Sequence, residues 1–208
     1  MTNYEDLLDG AHLRLLQIKA KRDQLEELAE RMSGEEQEES AIFLSYIMMK
    51  GIAEDLEEFL DLIKSDSKAR YQDFIIRNIT EQTIEYMYLM NNKELIAEYF
   101  GSEARIDEEE IDMNHISKAY KKLGQNRYSD KRTSVNAMAI SIGEKYAQDG
   151  IPSLYDVFSI ISENCHNSYV HAVIHEQAEN EMENKVFNLQ MMTLVLVKLL
   201  KFEKSREV

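Results

Sequence analysis

The chain has 208 residues, of which 39 are acidic and 24 basic, so its formal net charge is -15. Its apolar content of 44% is too high for a disordered acidic chain, and a chain of this length can bury a sizeable core. The acidic balance argues against nucleic-acid binding through the overall field of the protein, because phosphate neutralisation needs clustered Lys and Arg.

The single cysteine and the apolar segments indicate where the protein resides. Cys165 is the only cysteine, which excludes an internal disulfide framework and indicates a reducing compartment. The first ten residues, MTNYEDLLDG, lack the basic flank and the apolar run of a signal peptide. The longest charge-free apolar stretch, residues 186–197, is too short to span a bilayer. We therefore expect a cytoplasmic protein that is not anchored to a membrane.

The chain contains one proline, and its apolar residues recur at steps of three and four, as they do on one face of an α-helix. This spacing predicts long helices over residues 4–32 and 36–63. A third helix over residues 68–90 is apolar around most of its circumference, which is typical of a central helix. The remaining predicted helices cover residues 93–99, 108–123, 132–148, 152–166 and 185–202, with Pro152 in the first turn of its helix.

No internal repeat or linker divides the chain. We therefore predict an all-α, single-domain bundle of seven or eight helices over residues 1–208. Within it, residues 1–65 form a helical pair, residues 66–168 form the core, and residues 185–204 form the C-terminal helix. The polar segment 167–184 is compatible with either a helical continuation or a long loop.

A charged stripe runs along the third predicted helix. Arg77, Glu81 and Glu85 lie four residues apart, so they share one face of a helix that is otherwise mostly apolar. A charge that folding buries must be paired, because an isolated charge costs several kcal/mol or is neutralised. Arg77 can pair with Glu81 one turn away, and the second carboxylate needs a partner from elsewhere.

A later predicted helix carries a matching polar stripe. Tyr155, Ser159, Ser162 and His166 recur at steps of four, three and four. They lie opposite the large apolar residues Leu154, Val157, Phe158, Ile160 and Ile161. We expect the two stripes to face each other, with His166 donating to one of the glutamates and Ser162 bonding nearby. Two interpretations stay open: a core network that fixes the helix register, and a cleft for general acid–base chemistry. The candidate catalytic residues are Arg77, Glu81, Glu85, Ser162 and His166.

One stretch is rich in basic residues, in contrast to the acidic chain as a whole. Residues 118–132, KAYKKLGQNRYSDKR, interleave tyrosines with lysines and arginines, which is a pattern of local phosphate or RNA contacts. The alternative is a solvated loop that balances the acidic run at residues 107–112. The candidate substrate-binding residues are Lys121, Lys122 and Arg127 from this stretch and Tyr155 from the polar stripe.

Metal ligation has little support in the sequence. Glu163 and His166 have the Glu-x-x-His spacing of helical di-metal proteins, but acidic residues are frequent enough here to give such pairs by chance. No glycine-rich phosphate loop and no common hydrolase motif occurs in the sequence. We expect no bound metal and no cofactor, and a di-metal bundle is the least favoured alternative.

Two segments resemble one family. The segments RNITEQTIEYMYL and SLYDVFSIISENCHNS resemble those of a family of bacterial domains of unknown function. Its members carry an Arg-x3-Glu helix that is followed, many residues later, by a tyrosine-containing helix ending in Ser-x3-His. The resemblance implies that Arg77, Glu81, Ser162 and His166 are the signature positions.

The helical architecture also resembles the HEPN superfamily of small helical bundles, which are often dimeric. Its members include ribonucleases of toxin–antitoxin and antiphage systems, and the active ones use an Arg-x4-6-His motif at the dimer interface. This sequence lacks that motif. The resemblance implies a homodimeric component of a bacterial or phage conflict system that acts on or binds RNA or nucleotide. An inactive, nucleotide-sensing or partner-binding member is equally consistent with the sequence.

The net charge supports a second, non-enzymatic hypothesis. Acidic residues are concentrated at positions 35–39, 54–61, 107–112 and 176–183. An acidic inhibitor or antitoxin would use such runs to occupy a basic surface of a partner protein. Acidic runs are also common on the solvated faces of ordinary helices. The sequence is therefore compatible with an enzyme and with a binding protein.

Overall fold

A computed structural model of the chain describes residues 3–31, 37–65, 69–96, 133–166 and 181–206. These residues form α-helices and no β-strand, apart from an isolated bridge between Gln148 and Ile151. The helices are α1 (Tyr4–Ala29), α2 (Gln37–Lys64), α3 (Ala69–Asn91), α4 (Val135–Ser141), α5 (Leu154–His166) and α6 (Glu181–Arg206), with a 3-10 helix at Lys93–Leu95. The all-α prediction is therefore confirmed.

The described residues contain six α-helices, fewer than the seven or eight that the sequence predicted. The predicted helix over residues 108–123 and most of the ambiguous segment 167–184 lie outside the described residues. Of the predicted short helix over 93–99, the structure describes the 3-10 turn and Ile96. The last helix, in contrast, is longer than predicted at both ends, since it covers Glu181–Arg206.

The fourth helix, α4, ends well before the predicted boundary because the chain turns at Gly143. The Glu144 N–H donates to the Ala139 carbonyl oxygen (2.8 Å), and the Gly143 N–H donates to the Ile140 oxygen (3.2 Å). Gly143 itself has a φ of +75°. A left-handed glycine with these bonds is a common way to terminate a helix. The apolar residues that follow in the sequence therefore belong to a loop.

The fifth helix, α5, begins at Leu154, two residues after the proline that was predicted to lie in its first turn. Ser153 and Asp156 cap it reciprocally. The Asp156 N–H donates to Ser153 Oγ (3.0 Å), and the Ser153 N–H donates to Asp156 Oδ2 (2.8 Å). These bonds satisfy N–H groups that have no partner within a helix. Pro152 therefore precedes the cap and is not part of the first turn.

The third helix, α3, lies at the centre of the fold, as its apolar circumference predicted. α1 packs against α2, α2 against α3, α3 against α6, and α6 against α1. Both α4 and α5 also pack against α3. The fully buried side chains of the resulting core include Ile18, Leu44, Phe59, Ile76, Ile79, Val157, Leu196 and Leu199. Polar side chains on α3 therefore meet other helices.

Candidate functional site

Arg77 of the charged stripe on α3 meets Ser162 of the polar stripe on α5, where the two helices pack together. Across this contact the Arg77 guanidinium donates from Nε to Ser162 Oγ at 3.0 Å. Its Nη2 lies 3.6 Å from Glu81 Oε2, one turn along the same helix. Arg77 therefore links the two helices, and the structure brings Arg77, Glu81 and Ser162 together.

The Arg77–Glu81 pair is open to solvent. Each of these two side chains keeps 34% of its surface exposed. Glu85, one further turn along α3, is buried and keeps only 9% of its surface exposed. The charged stripe therefore runs from an accessible ion pair into the interior. A ligand in solution can reach Arg77 without any movement of the helices.

One aromatic ring of α5 contacts the Arg77 guanidinium, and a second ring packs beside the first. Arg77 Cζ lies 5.4 Å from the centroid of the Phe158 ring, which is a cation–π contact. The Phe158 ring lies 6.1 Å from the Tyr155 ring, and Lys145 Nζ lies 3.2 Å from the Tyr155 centroid. Each ring of this aromatic pair therefore contacts one cation: Phe158 contacts Arg77, and Tyr155 contacts Lys145. We call Arg77, Glu81, Ser162, Phe158 and Tyr155 the Arg77 site.

Sequence reasoning missed two contributors to this arrangement. Phe158 was assigned to the apolar side of its helix, although its ring touches the Arg77 guanidinium. Lys145 falls in a segment that was predicted to be helical, and the early end of α4 instead places it in a loop. The signal for that loop was Gly143, since glycine is the residue that most often ends a helix in this way.

A half-buried carboxylate fixes the start of α5. Glu144 Oε2 accepts a hydrogen bond from the Leu154 N–H at 3.0 Å, and the Glu144 carbonyl oxygen accepts one from the Tyr155 N–H at 3.1 Å. Lys198 Nζ of α6 donates to both Glu144 carboxylate oxygens at 2.7 and 2.8 Å. A negative charge at a helix N-terminus is stabilising. These bonds hold the Tyr155 end of α5 in position.

Several predicted site residues lie outside the described part of the structure. Lys121, Lys122 and Arg127, the predicted basic contacts, belong to this group. His166 is the last residue of α5, one turn beyond Ser162, but its side chain is outside the described part as well. Its hydrogen bond to a glutamate of α3 stays a prediction. The predicted catalytic group is thus described only in part.

A second polar cluster, which the sequence did not predict, joins α2, α3 and α6. The fully buried Tyr86 donates from its hydroxyl to Glu203 Oε1 (2.5 Å) and accepts from an Arg206 Nη (2.7 Å). Ser45 Oγ lies 2.9 Å from the same hydroxyl. Burial, reinforced by the Glu203 carboxylate, raises the pKa of the Tyr86 phenol well above its ordinary value. We call these four residues the Tyr86 network. Because Tyr86, Ser45 and Glu203 are all buried, the network is structural.

No family model, curated protein or solved structure matches this chain. Among the residues that the structure describes, no group of three or more His, Cys, Asp or Glu side chains is placed to hold a metal ion. None of the described helices has the length and apolar content needed to cross a membrane. The Arg77 site is the candidate that the described contacts support, because its guanidinium is accessible and is held by Ser162 and Phe158.

Proposed function

We propose that the protein binds RNA or nucleotide at the Arg77 site, as a HEPN-like component of a bacterial or phage conflict system. The observation that supports this proposal is the accessible Arg77 guanidinium, which Ser162 and Phe158 hold in one orientation. A guanidinium offers several N–H donors in a plane, which suits phosphate oxygens. Because Arg77 is already oriented, less side-chain entropy is lost when an anion binds.

The surroundings of Arg77 favour a nucleotide over an inorganic anion. Glu81 lies close enough to weaken the attraction of Arg77 for a simple anion. The Phe158 ring beside the guanidinium and the Tyr155 ring next to Phe158 provide apolar and π surface, which a nucleobase can use and inorganic phosphate cannot. In the catalytic form of the proposal, His166 and a carboxylate of α3 exchange protons with the RNA.

Fluorescence anisotropy with a labelled single-stranded RNA of about ten nucleotides tests the binding proposal. Arg77→Gln removes the guanidinium, and Arg22→Gln is the matched control, because it removes the same charge from α1, where Arg22 contacts Asp23. A hydrogen bond to a charged group contributes about 1.5–3 kcal/mol, so Arg77→Gln is expected to weaken binding about 10- to 100-fold. For Arg22→Gln the loss is expected to stay below about 3-fold.

Either of two outcomes would refute the binding proposal. One is an equal loss of affinity in Arg77→Gln and Arg22→Gln, which would show that only the net charge matters. The other is wild-type protein that binds neither the RNA nor a nucleoside triphosphate. Far-UV circular dichroism must show both variants folded, since Arg77 also links α3 to α5.

Incubation with total RNA and with tRNA tests the nuclease form of the proposal. Wild-type protein is expected to cut RNA, and His166→Ala is expected to leave it intact, because the variant lacks the acid–base group. If RNA stays intact with both proteins, the nuclease form of the proposal is wrong and only the binding form remains. If both proteins cut RNA equally, His166 is not a catalytic residue.

The acidic surface supports a second candidate, an inhibitor or antitoxin that binds a basic surface of a partner protein. Glu54, Glu58 and Asp61 occupy solvent-exposed positions of α2 within one of the acidic runs. A complex held by such charges weakens steeply as salt screens them. A pull-down from the native host at about 50 and about 300 mM NaCl tests this candidate. The absence of any salt-sensitive partner would count against it.

A further inference from the structure

A row of side-chain contacts connects Arg77 to a second cation, Lys145. Lys145 Nζ lies 3.2 Å from the centroid of the Tyr155 ring, and the Tyr155 and Phe158 centroids lie 6.1 Å apart. Arg77 Cζ lies 5.4 Å from the Phe158 centroid. Each of these four residues keeps part of its surface exposed. We call them the α5 row, which has a cation at each end and two aromatic rings between.

The loop before α5 holds Lys145 beside Tyr155. The Tyr155 N–H donates to the carbonyl oxygen of Glu144, the residue before Lys145, at 3.1 Å. Farther along the loop, the Gln148 N–H donates to the Ile151 oxygen at 3.0 Å, and the Ile151 N–H donates to the Gln148 oxygen at 2.8 Å. These bonds fix the backbone on both sides of Lys145. Less conformational entropy is therefore lost when a ligand binds there.

The charge of Lys145 is available to an anion. The carboxylate of Glu144, its neighbour in sequence, accepts from Lys198 Nζ at 2.7 and 2.8 Å. The Asp156 carboxylate accepts from the Ser153 N–H at 2.8 Å. In the part of the chain that the structure describes, no carboxylate forms an ion pair with Lys145. Because no negative charge offsets it, Lys145 attracts a phosphate more strongly than a paired cation does.

The order of groups in the α5 row suits a nucleic-acid strand better than a single nucleotide. In a nucleoside triphosphate the phosphates follow one another, and the base lies at one end. In a strand each phosphate is followed by a nucleoside and then by the next phosphate. The α5 row likewise places aromatic rings between its two cations. Single strands bind proteins through this combination of cations for phosphates and rings for bases.

The length of the α5 row sets the size of the ligand. Its three contact distances of 3.2, 6.1 and 5.4 Å place Lys145 Nζ at most about 15 Å from Arg77 Cζ. A stacked strand advances about 3.4 Å per nucleotide. A strand of about five nucleotides is therefore long enough to reach both cations.

We propose that the α5 row binds a single strand of RNA, with Arg77 and Lys145 contacting two different phosphates. The Tyr155 and Phe158 rings contact the bases between these phosphates. This inference rests on the proposed function and deepens it, because it names a strand as the ligand and adds Lys145 as a second phosphate contact. A single nucleotide occupies the Arg77 end alone and gains nothing from Lys145.

Isothermal titration calorimetry with pentaadenylate RNA and with ATP tests the proposal, because both ligands contain adenine and carry about the same charge. The wild type is expected to bind pentaadenylate at least about 10-fold more tightly than ATP. Lys145→Gln is expected to weaken pentaadenylate binding about 3- to 10-fold and to change ATP binding less than about 1.5-fold. Lys50→Gln is the matched control, since it removes the same charge from an exposed position of α2. Its effect on pentaadenylate binding is expected to stay below about 2-fold.

The salt dependence of binding provides a second readout. For a single strand, the logarithm of the association constant falls with the logarithm of the salt concentration, with a slope of about -0.7 per phosphate contact. Lys145→Gln should therefore make the slope for pentaadenylate shallower by about 0.7, whereas Lys145→Arg should keep the wild-type slope. Circular dichroism should show these variants folded, since Lys145 is partly exposed and the substitutions break no ion pair in the described residues.

Three results would overturn this inference while Arg77→Gln still weakens binding, so that the proposed function stands. The first is equal affinity of the wild type for pentaadenylate and for ATP. The second is an equal loss of pentaadenylate affinity in Lys145→Gln and Lys50→Gln. The third is a loss of ATP affinity in Lys145→Gln as large as its loss of pentaadenylate affinity. Wild-type protein that binds neither ligand would overturn the proposed function and this inference together.

Discussion

Replacement of Tyr86 by phenylalanine removes one hydroxyl from the Tyr86 network and leaves the ring in the core. The ring packs edge-on against Phe202, with centroids 6.0 Å apart, and the substitution keeps this contact and opens no cavity. The hydroxyl contacts to Glu203, Arg206 and Ser45 are lost together. Glu203 keeps its ion pair with Arg206 at 2.9 Å. The measured change therefore reports the hydroxyl alone.

The bond from Tyr86 to Glu203 sets the size of the effect. Hydrogen bonds to charged groups contribute about 1.5–3 kcal/mol, and Glu203 keeps only 6% of its surface exposed, so water cannot replace the lost donor. We expect Tyr86→Phe to lower the free energy of unfolding by about 2–3 kcal/mol. For a domain of this size, that loss corresponds to a fall in Tm of about 4–12 °C.

Urea unfolding followed by circular dichroism measures this loss. Tyr88→Phe is the matched control on the same helix, since the Tyr88 hydroxyl is only partly buried and lies 3.5 Å from Thr133 Oγ1. We expect this control to lose less than about 0.5 kcal/mol. A double-mutant cycle of Tyr86→Phe with Glu203→Gln should show a coupling of about 1 kcal/mol or more. Equal losses in the two tyrosine variants, or strict additivity in the cycle, would refute the reasoning.

Three further substitutions test polar groups of α3 and α6. Burial raises the pKa of Asp73 from 3.8 to about 6. The folded state therefore keeps the Asp73 carboxyl protonated to a higher pH than the unfolded chain does. As a result, the free energy of unfolding falls as the pH rises from about 4 to about 6. Asp73→Asn should remove that fall and raise the free energy of unfolding by about 1–3 kcal/mol near pH 8, as measured by urea unfolding. A variant whose stability depends on pH in the same way as the wild type would contradict this prediction. The Thr193 hydroxyl is buried without a hydrogen-bond partner in the described part of the chain, so Thr193→Val should raise the unfolding free energy by about 1 kcal/mol. Thr80→Val loses a 2.6 Å hydrogen bond to the Ile76 oxygen and should lower the unfolding free energy by a similar amount. If both threonine variants changed the unfolding free energy in the same direction, this explanation would be wrong.

The sequence alone determined the long helices and the central place of α3. Both follow from local properties: the recurrence of apolar side chains at steps of three and four, and an apolar circumference that must be buried on several sides. The ion pair between Arg77 and Glu81 is local in the same sense, because residues four apart on a helix are neighbours. The matching polar stripe that contains Ser162 was also visible in the sequence.

The tertiary structure alone decided the contacts between distant parts of the chain and the exposure of each side chain. Arg77 bonds to a serine 85 positions away, and Tyr86 bonds to a carboxylate 117 positions away. Such pairs depend on how helices pack, and the apolar spacing of each helix does not specify its partner. Packing leaves Arg77 accessible and buries Tyr86 completely. That difference in exposure separates a candidate binding site from a structural network, and no local sequence pattern records it.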